Sequence, residues 1–122
     1  QPATLLKAIE ALEKVQKPFP RISYDEALKQ IANVLKEFSD RRFQVEGHTD
    51  NVPMKSARFP SNWELSTARA SAVARFFDKE GGISPQRLTA CGYSYYRPVA
   101  PNDTPEGRSQ NRRIEIILEP VE

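Results

Sequence analysis

Two residues of this chain stand out as able to do chemistry together: an aspartate, Asp50, and an arginine, Arg69, with the only histidine, His48, close by. Asp50 follows Phe43-Gln44-Val45-Glu46-Gly47-His48-Thr49, which reads as a short strand stopped at a glycine. In open α/β sheets ligands bind beyond the carboxyl ends of strands, so His48, Thr49 and Asp50 are the first candidates for function. Arg69 falls in the early turns of a helix opening near Asn62, with Ser66 three residues before it on the same side. A helix start carries free backbone donors and the positive end of the dipole. A ligand carboxylate would be stabilised there by two-point contact with Arg69, and Asp50 would accept an ammonium. Together they suit a zwitterionic amino-acid head group. The same two side chains could instead simply pair with each other, and the residues alone leave both readings open. His48 has no Cys or Ser partner at a recognisable spacing, so it reads as a local hydrogen-bonding residue and not as a catalyst.

The elements that must position these residues belong to one domain. At 122 residues the chain is long enough for a single core and too short for two. Hydrophobic residues at 39% and charged residues at 28% are normal for a globular protein and argue against disorder. The net charge of +2 is spread among both signs, without the concentrated basic face that nucleic acid requires. No apolar run approaches the roughly 18–20 residues of a membrane span. No stretch has the basic start and apolar middle of a signal peptide, although a fragment of a secreted or anchored protein would look the same. The single Cys91 excludes an intrachain disulfide and reads as a small buried hydrophobe. One histidine makes a zinc site built from His and Cys pairs untenable, and no cofactor is implied.

Residues 3–16 have helical periodicity, and Pro18 and Pro20 break it, so 1–20 read as an N-terminal helix and linker ahead of a domain over 21–122. Ser23 and Glu26 form a capping box opening a second helix to about Ser39, with Ala27, Leu28, Ile31, Val34, Leu35 and Phe38 facing the core. Residues 49–61 read as a loop. Ser61 and Glu64 then cap a long helix over 62–80, whose Leu65, Ala68, Ala72, Val73, Phe76 and Phe77 should be buried and which ends at Gly81-Gly82. Arg87–Tyr93 is a strand, residues 94–110 an irregular loop, and Asn111–Glu119 a last strand with one face buried. The resulting order predicts a right-handed βαβ unit. Phe43–Gly47 should be central, parallel to Leu88–Cys91 and antiparallel to Ile114–Leu118. The expected fold is an α/β two-layer sandwich, with helices on one face of a small mixed sheet.

Five ordered blocks also carry a resemblance. They are Gly47-His48-Thr49-Asp50-Asn51-Val52-Pro53, Phe59-Pro60-Ser61-Asn62-Trp63-Glu64-Leu65-Ser66-Thr67-Ala68-Arg69-Ala70, Cys91-Gly92-Tyr93, Asn102-Asp103-Thr104-Pro105-Glu106-Gly107-Arg108, and Asn111-Arg112-Arg113-Ile114-Glu115. Over about residues 24–119 they resemble the OmpA-like C-terminal domains, and the long loop between Asp50 and Asn62 is most similar to the MotB flagellar stator type. The resemblance implies non-covalent binding of peptidoglycan in the periplasm, with no enzymatic step. It implies that Asp50 and Arg69 grip diaminopimelate of the stem peptide, and that Thr49, Asn62, Leu65, Asn111, Arg112 and Arg113 shape or support the groove. It also implies a membrane-anchored parent assembly and pairing of two copies. A protein-interaction domain, or a cell-wall peptide hydrolase using His48 and Asp50, are the rival readings; the second lacks a nucleophile or metal-ligand set. In place of the family's opening strand stands Lys17-Pro18-Phe19-Pro20-Arg21-Ile22, so either that strand is reduced to a stub around Arg21–Ser23 or residues 3–16 supply a replacement element.

Overall fold

A computed structural model describes residues 23–38 and 40–119; the helix expected over 3–16 and the question of the opening strand lie outside them. Helix α1 runs Tyr24–Leu35, with the Ser23 side chain accepting the Glu26 N–H as its cap. Strand β1 is Phe43–His48 and helix α2 is Asn62–Lys79, capped by the Ser61 side chain through the Trp63 N–H. A 3₁₀ turn, Pro85–Arg87, leads into strand β2, Leu88–Gly92. Helix α3, Pro105–Asn111, and strand β3, Arg113–Leu118, complete the described chain.

The sheet order is β2-β1-β3, with β1 parallel to β2 (Val45 opposite Ala90) and antiparallel to β3 (Val45 opposite Ile116), as the βαβ order predicts. Phe43 and Val45 from β1, Ile114, Ile116 and Leu118 from β3, and Leu28, Ile31, Leu35, Val73 and Phe77 from the helices form one buried cluster. Burial stabilises each such side chain by about 1.5–3 kcal/mol relative to exposure. Glycine permits a very close contact between α2 and the sheet. A Cβ on Gly47 would come 2.0 Å from the Ser66 carbonyl oxygen, and one on Gly92 would come 2.5 Å from Ser66 Oγ. The first turns of α2 therefore lie directly on the ends of β1 and β2, which carries Arg69 to the rim where Asp50 emerges.

Four local expectations need correction. Residues 105–111 are helical, because Thr104 accepts the Gly107 N–H and Pro105 occupies the first turn, where no amide donor is needed. Val34 is exposed and Ala72 lies on the open side of α2; Ala70 and Ser66 are the small residues buried against the sheet instead. Cys91 is only partly buried. Most consequentially, the last strand buries both faces: Arg113 and Glu115 are as enclosed as Ile114 and Ile116.

Candidate functional site

Asp50 lies just beyond β1 with only 7% of its surface exposed. Its Oδ1 accepts the Val52 N–H at 3.0 Å, closing an Asx turn, and its Oδ2 accepts from Arg112 Nη1 at 2.6 Å. The Arg69 side chain, by contrast, is exposed and makes no hydrogen bond or ion pair with any described residue. Of the two readings the residues left open, direct Asp50–Arg69 pairing is not the one seen: Arg112 holds the aspartate and the Arg69 charge stands open. Arg69 and Arg112 line one cleft of about 320 Å³, walled in part by Ala72, Val73 and Ile114. Arg112 thus links the cleft to the aspartate.

The other expected site residues hold the loops. Thr49 donates its N–H to the Ser94 carbonyl at 2.9 Å and its hydroxyl to the Asp50 carbonyl at 2.8 Å. Asn62 Nδ2 donates to the Val52 carbonyl at 3.1 Å, closing the far end of the Asx turn, and Leu65 is buried one turn on. Asn111 is fully buried with every polar position in use. Its Oδ1 accepts from the Val99 and Ala100 amides at 2.7 and 3.0 Å, and its Nδ2 donates to the Ala100 carbonyl and Asn102 Oδ1 at 2.9 and 2.8 Å. It positions the loop ahead of Arg112, leaving no group of its own for a ligand.

Sequence reasoning missed Ser94. It is buried, adopts a left-handed backbone (φ 55°), donates its N–H to Ser66 Oγ at 3.0 Å and accepts from Thr49. A non-glycine residue in that region persists only where its surroundings over-determine it. No signal in the residue type betrays this.

The opposite face of the sheet carries a second charged group of residues. His48 Nε2 donates to Glu46 Oε1 at 3.3 Å, Gln44 Nε2 donates to Glu46 Oε2 at 2.7 Å, and Arg113 Nε donates to Glu115 Oε2. Tyr93 stacks on the His48 ring at 5.2 Å, and the Arg97 guanidinium lies 4.3 Å over Tyr93. Arg113 also donates to the Asn111 and Arg97 carbonyls, at 3.1 and 2.9 Å. Burial raises the Glu46 carboxyl, but the hydrogen bonds from His48 and Gln44, with the charges of His48 and Arg97, outweigh it and hold the group below its ordinary range. This arrangement ties the loop after β2 to the sheet.

A mixed sheet with helices packed on one face, and a basic cleft beside an aspartate at the strand ends, define a small α/β binding domain. The sequence pattern of the OmpA family matches residues 21–112. The chain is 41% identical over 92 residues to motility protein B of Bacillus subtilis, covering 75% of this chain and 35% of that protein. It is 36% identical over 93 residues to the peptidoglycan-binding protein ArfA of Mycobacterium bovis, covering 76% of this chain and 27% of that protein. The chain therefore belongs to the OmpA family, and it spans about a third or less of the length of these relatives. The fold matches the periplasmic domain of Helicobacter pylori MotB with a TM-score of 0.73 at 30% identity, over 81% of this chain and 64% of that one. It matches the cell wall anchor of the T6SS from Pseudomonas aeruginosa equally well, TM-score 0.73 at 30% identity, over 98% of both chains.

Proposed function

We propose that this chain is a non-enzymatic, periplasmic domain that binds peptidoglycan non-covalently and anchors an envelope or flagellar stator assembly to the cell wall. The motility, peptidoglycan-binding and cell-wall-anchor relatives support that reading. The finer reading is that the cleft receives the diaminopimelate head group of the stem peptide. One observation carries it: an exposed Arg69, whose side chain has no partner among the described residues, shares a cleft with Arg112, whose guanidinium is bound to the buried Asp50. A zwitterion entering there gives its carboxylate to the arginines and its ammonium to Asp50, replacing one internal ion pair by two with the ligand.

Each such contact contributes about 1.5–3 kcal/mol, so Arg69→Ala should weaken binding about 10- to 100-fold. Arg69→Lys should recover only part, since an ammonium cannot reproduce a planar two-point grip. Asp50→Ala should lose as much affinity but also loosens the Asx turn at Val52, which makes Arg69 the cleaner probe. The test is co-sedimentation with sacculi containing diaminopimelate, against sacculi with lysine at that position, while assaying for released muropeptides. Equal sedimentation of folded Arg69→Ala and parent refutes the head-group site, and released muropeptides refute a purely binding role.

A further inference from the structure

The rim beside Asp50 carries a feature that the charged cleft does not use. Trp63, in the first turn of α2, is half exposed and stacks on Tyr96 at 5.5 Å between ring centroids, and Tyr96 stacks on Tyr95 at 4.4 Å. Tyr96 and Tyr95 are themselves 58% and 37% exposed. Three large rings left in water together cost burial that the fold could have used, and such patches mark binding surfaces. They are also rigidly held. Asn62, beside Trp63, is bonded to the Val52 carbonyl, and Tyr95 follows the left-handed Ser94, which is pinned by Ser66 and Thr49. The backbone strain stored at Ser94 thus lies where the chain turns the tyrosines outward. Thr49 adjoins Asp50, so the rings and the charged site share one set of loops.

We propose that Trp63, propped by Tyr96 and Tyr95, is a stacking platform for a pyranose ring of the glycan strand, a second subsite beside the peptide site. This rests on the peptidoglycan reading above. The chemistry favours a sugar over other occupants. A pyranose presents an apolar face of C–H bonds edged by hydroxyls, and this patch presents an indole face with phenol hydroxyls at its edge, Tyr96 donating to Tyr95 Oη at 3.3 Å. The stem peptide is covalently joined to its glycan strand, so a domain that grips the peptide holds sugars of the same polymer tethered nearby. A platform on the same rim adds affinity by linking two weak contacts on one polymer.

Trp63 is the only tryptophan, so its emission reports this subsite without interference. The full chain is titrated with peptide-stripped glycan strands and, separately, with a sugar-free stem peptide containing diaminopimelate. The glycan should change Trp63 emission in the parent and in Arg69→Ala alike. Trp63→Ala should bind sacculi about tenfold more weakly while keeping parental affinity for the free peptide, and Trp63→Phe should recover part of the loss. The Trp63 side chain is exposed and its cap bond uses the backbone N–H, so the variant should fold, as circular dichroism would verify. Unchanged emission on adding glycan, or sacculus binding by Trp63→Ala equal to the parent, overturns the platform. Emission that depends on protein concentration without sugar assigns the rings to a second copy and overturns it as well. Free-peptide affinity unaffected by Arg69→Ala overturns the head-group reading and leaves the platform's own readouts standing.

Discussion

The two charged groups of residues in this domain are built from nearly the same parts and have opposite fates. On the back of the sheet, Glu46, His48, Arg113 and Glu115 are each at most 8% exposed and are bonded to one another, to Gln44 and to backbone carbonyls. At the rim, Asp50 is bonded to Arg112, but Arg112 is half in solvent and Arg69 has no described partner. The first arrangement is closed to solvent: its charged groups hold the loop after β2 onto the sheet, and among the described residues only the buried His48 Nδ1 is left without a partner. The second is open, with the Arg69 charge standing in a cleft of about 320 Å³. Residue type does not separate a strut from a site here; the difference lies in whether the charges are already spent.

Removing a carboxylate from the closed cluster should have the largest effect. Glu115→Ala strands the Arg113 guanidinium in a buried place, and losing one partner of such a pair costs about 3–5 kcal/mol. Urea unfolding measures it, and a loss under about 1 kcal/mol would show the back cluster to be as solvent-screened as a surface pair.

Acid should probe the same cluster more gently. The folded-state pKa of Glu46 lies below its ordinary value of 4.5, so the unfolded chain takes up this proton first as pH falls. The stabilisation is therefore complete above about 4.5 and disappears as pH drops through the lower folded-state value. Glu46→Gln should cost about 1.5–3 kcal/mol at neutral pH, and its gap from the parent should close in that acid window. A gap that stays constant with pH would mean that the carboxylate charge contributes nothing.

The smallest effect on stability should come from the rim. Arg69→Ala is expected to shift the unfolding free energy by no more than about 0.5 kcal/mol, as for surface positions without partners, while the proposed head-group site predicts binding about 10- to 100-fold weaker. A large stability loss would make Arg69 a structural residue and collapse the contrast between the two regions.

Much of this was legible from the chain alone. Period-two alternation at Ile114, Ile116 and Leu118, the caps at Ser23 and Ser61, and the βαβ order predict the central β1 and both pairings, because these signals are local and the crossover rule is general. The placement of Asp50 past a strand and Arg69 on the following helix was legible for the same reason. The sequence could not say which arginine holds Asp50. Arg112 and Arg113 both border the cleft, yet one guanidinium holds Asp50 and the other lies under the loop after β2, because the strand begins between them and sends successive side chains to opposite faces. Nor could it show that the polar face of β3 is covered. That cover depends on Tyr93 stacking over His48, a contact between segments far apart in the chain, with Arg97 lying over Tyr93 in turn. Alternation specifies which residues share a face, and only the tertiary structure decides whether that face meets water.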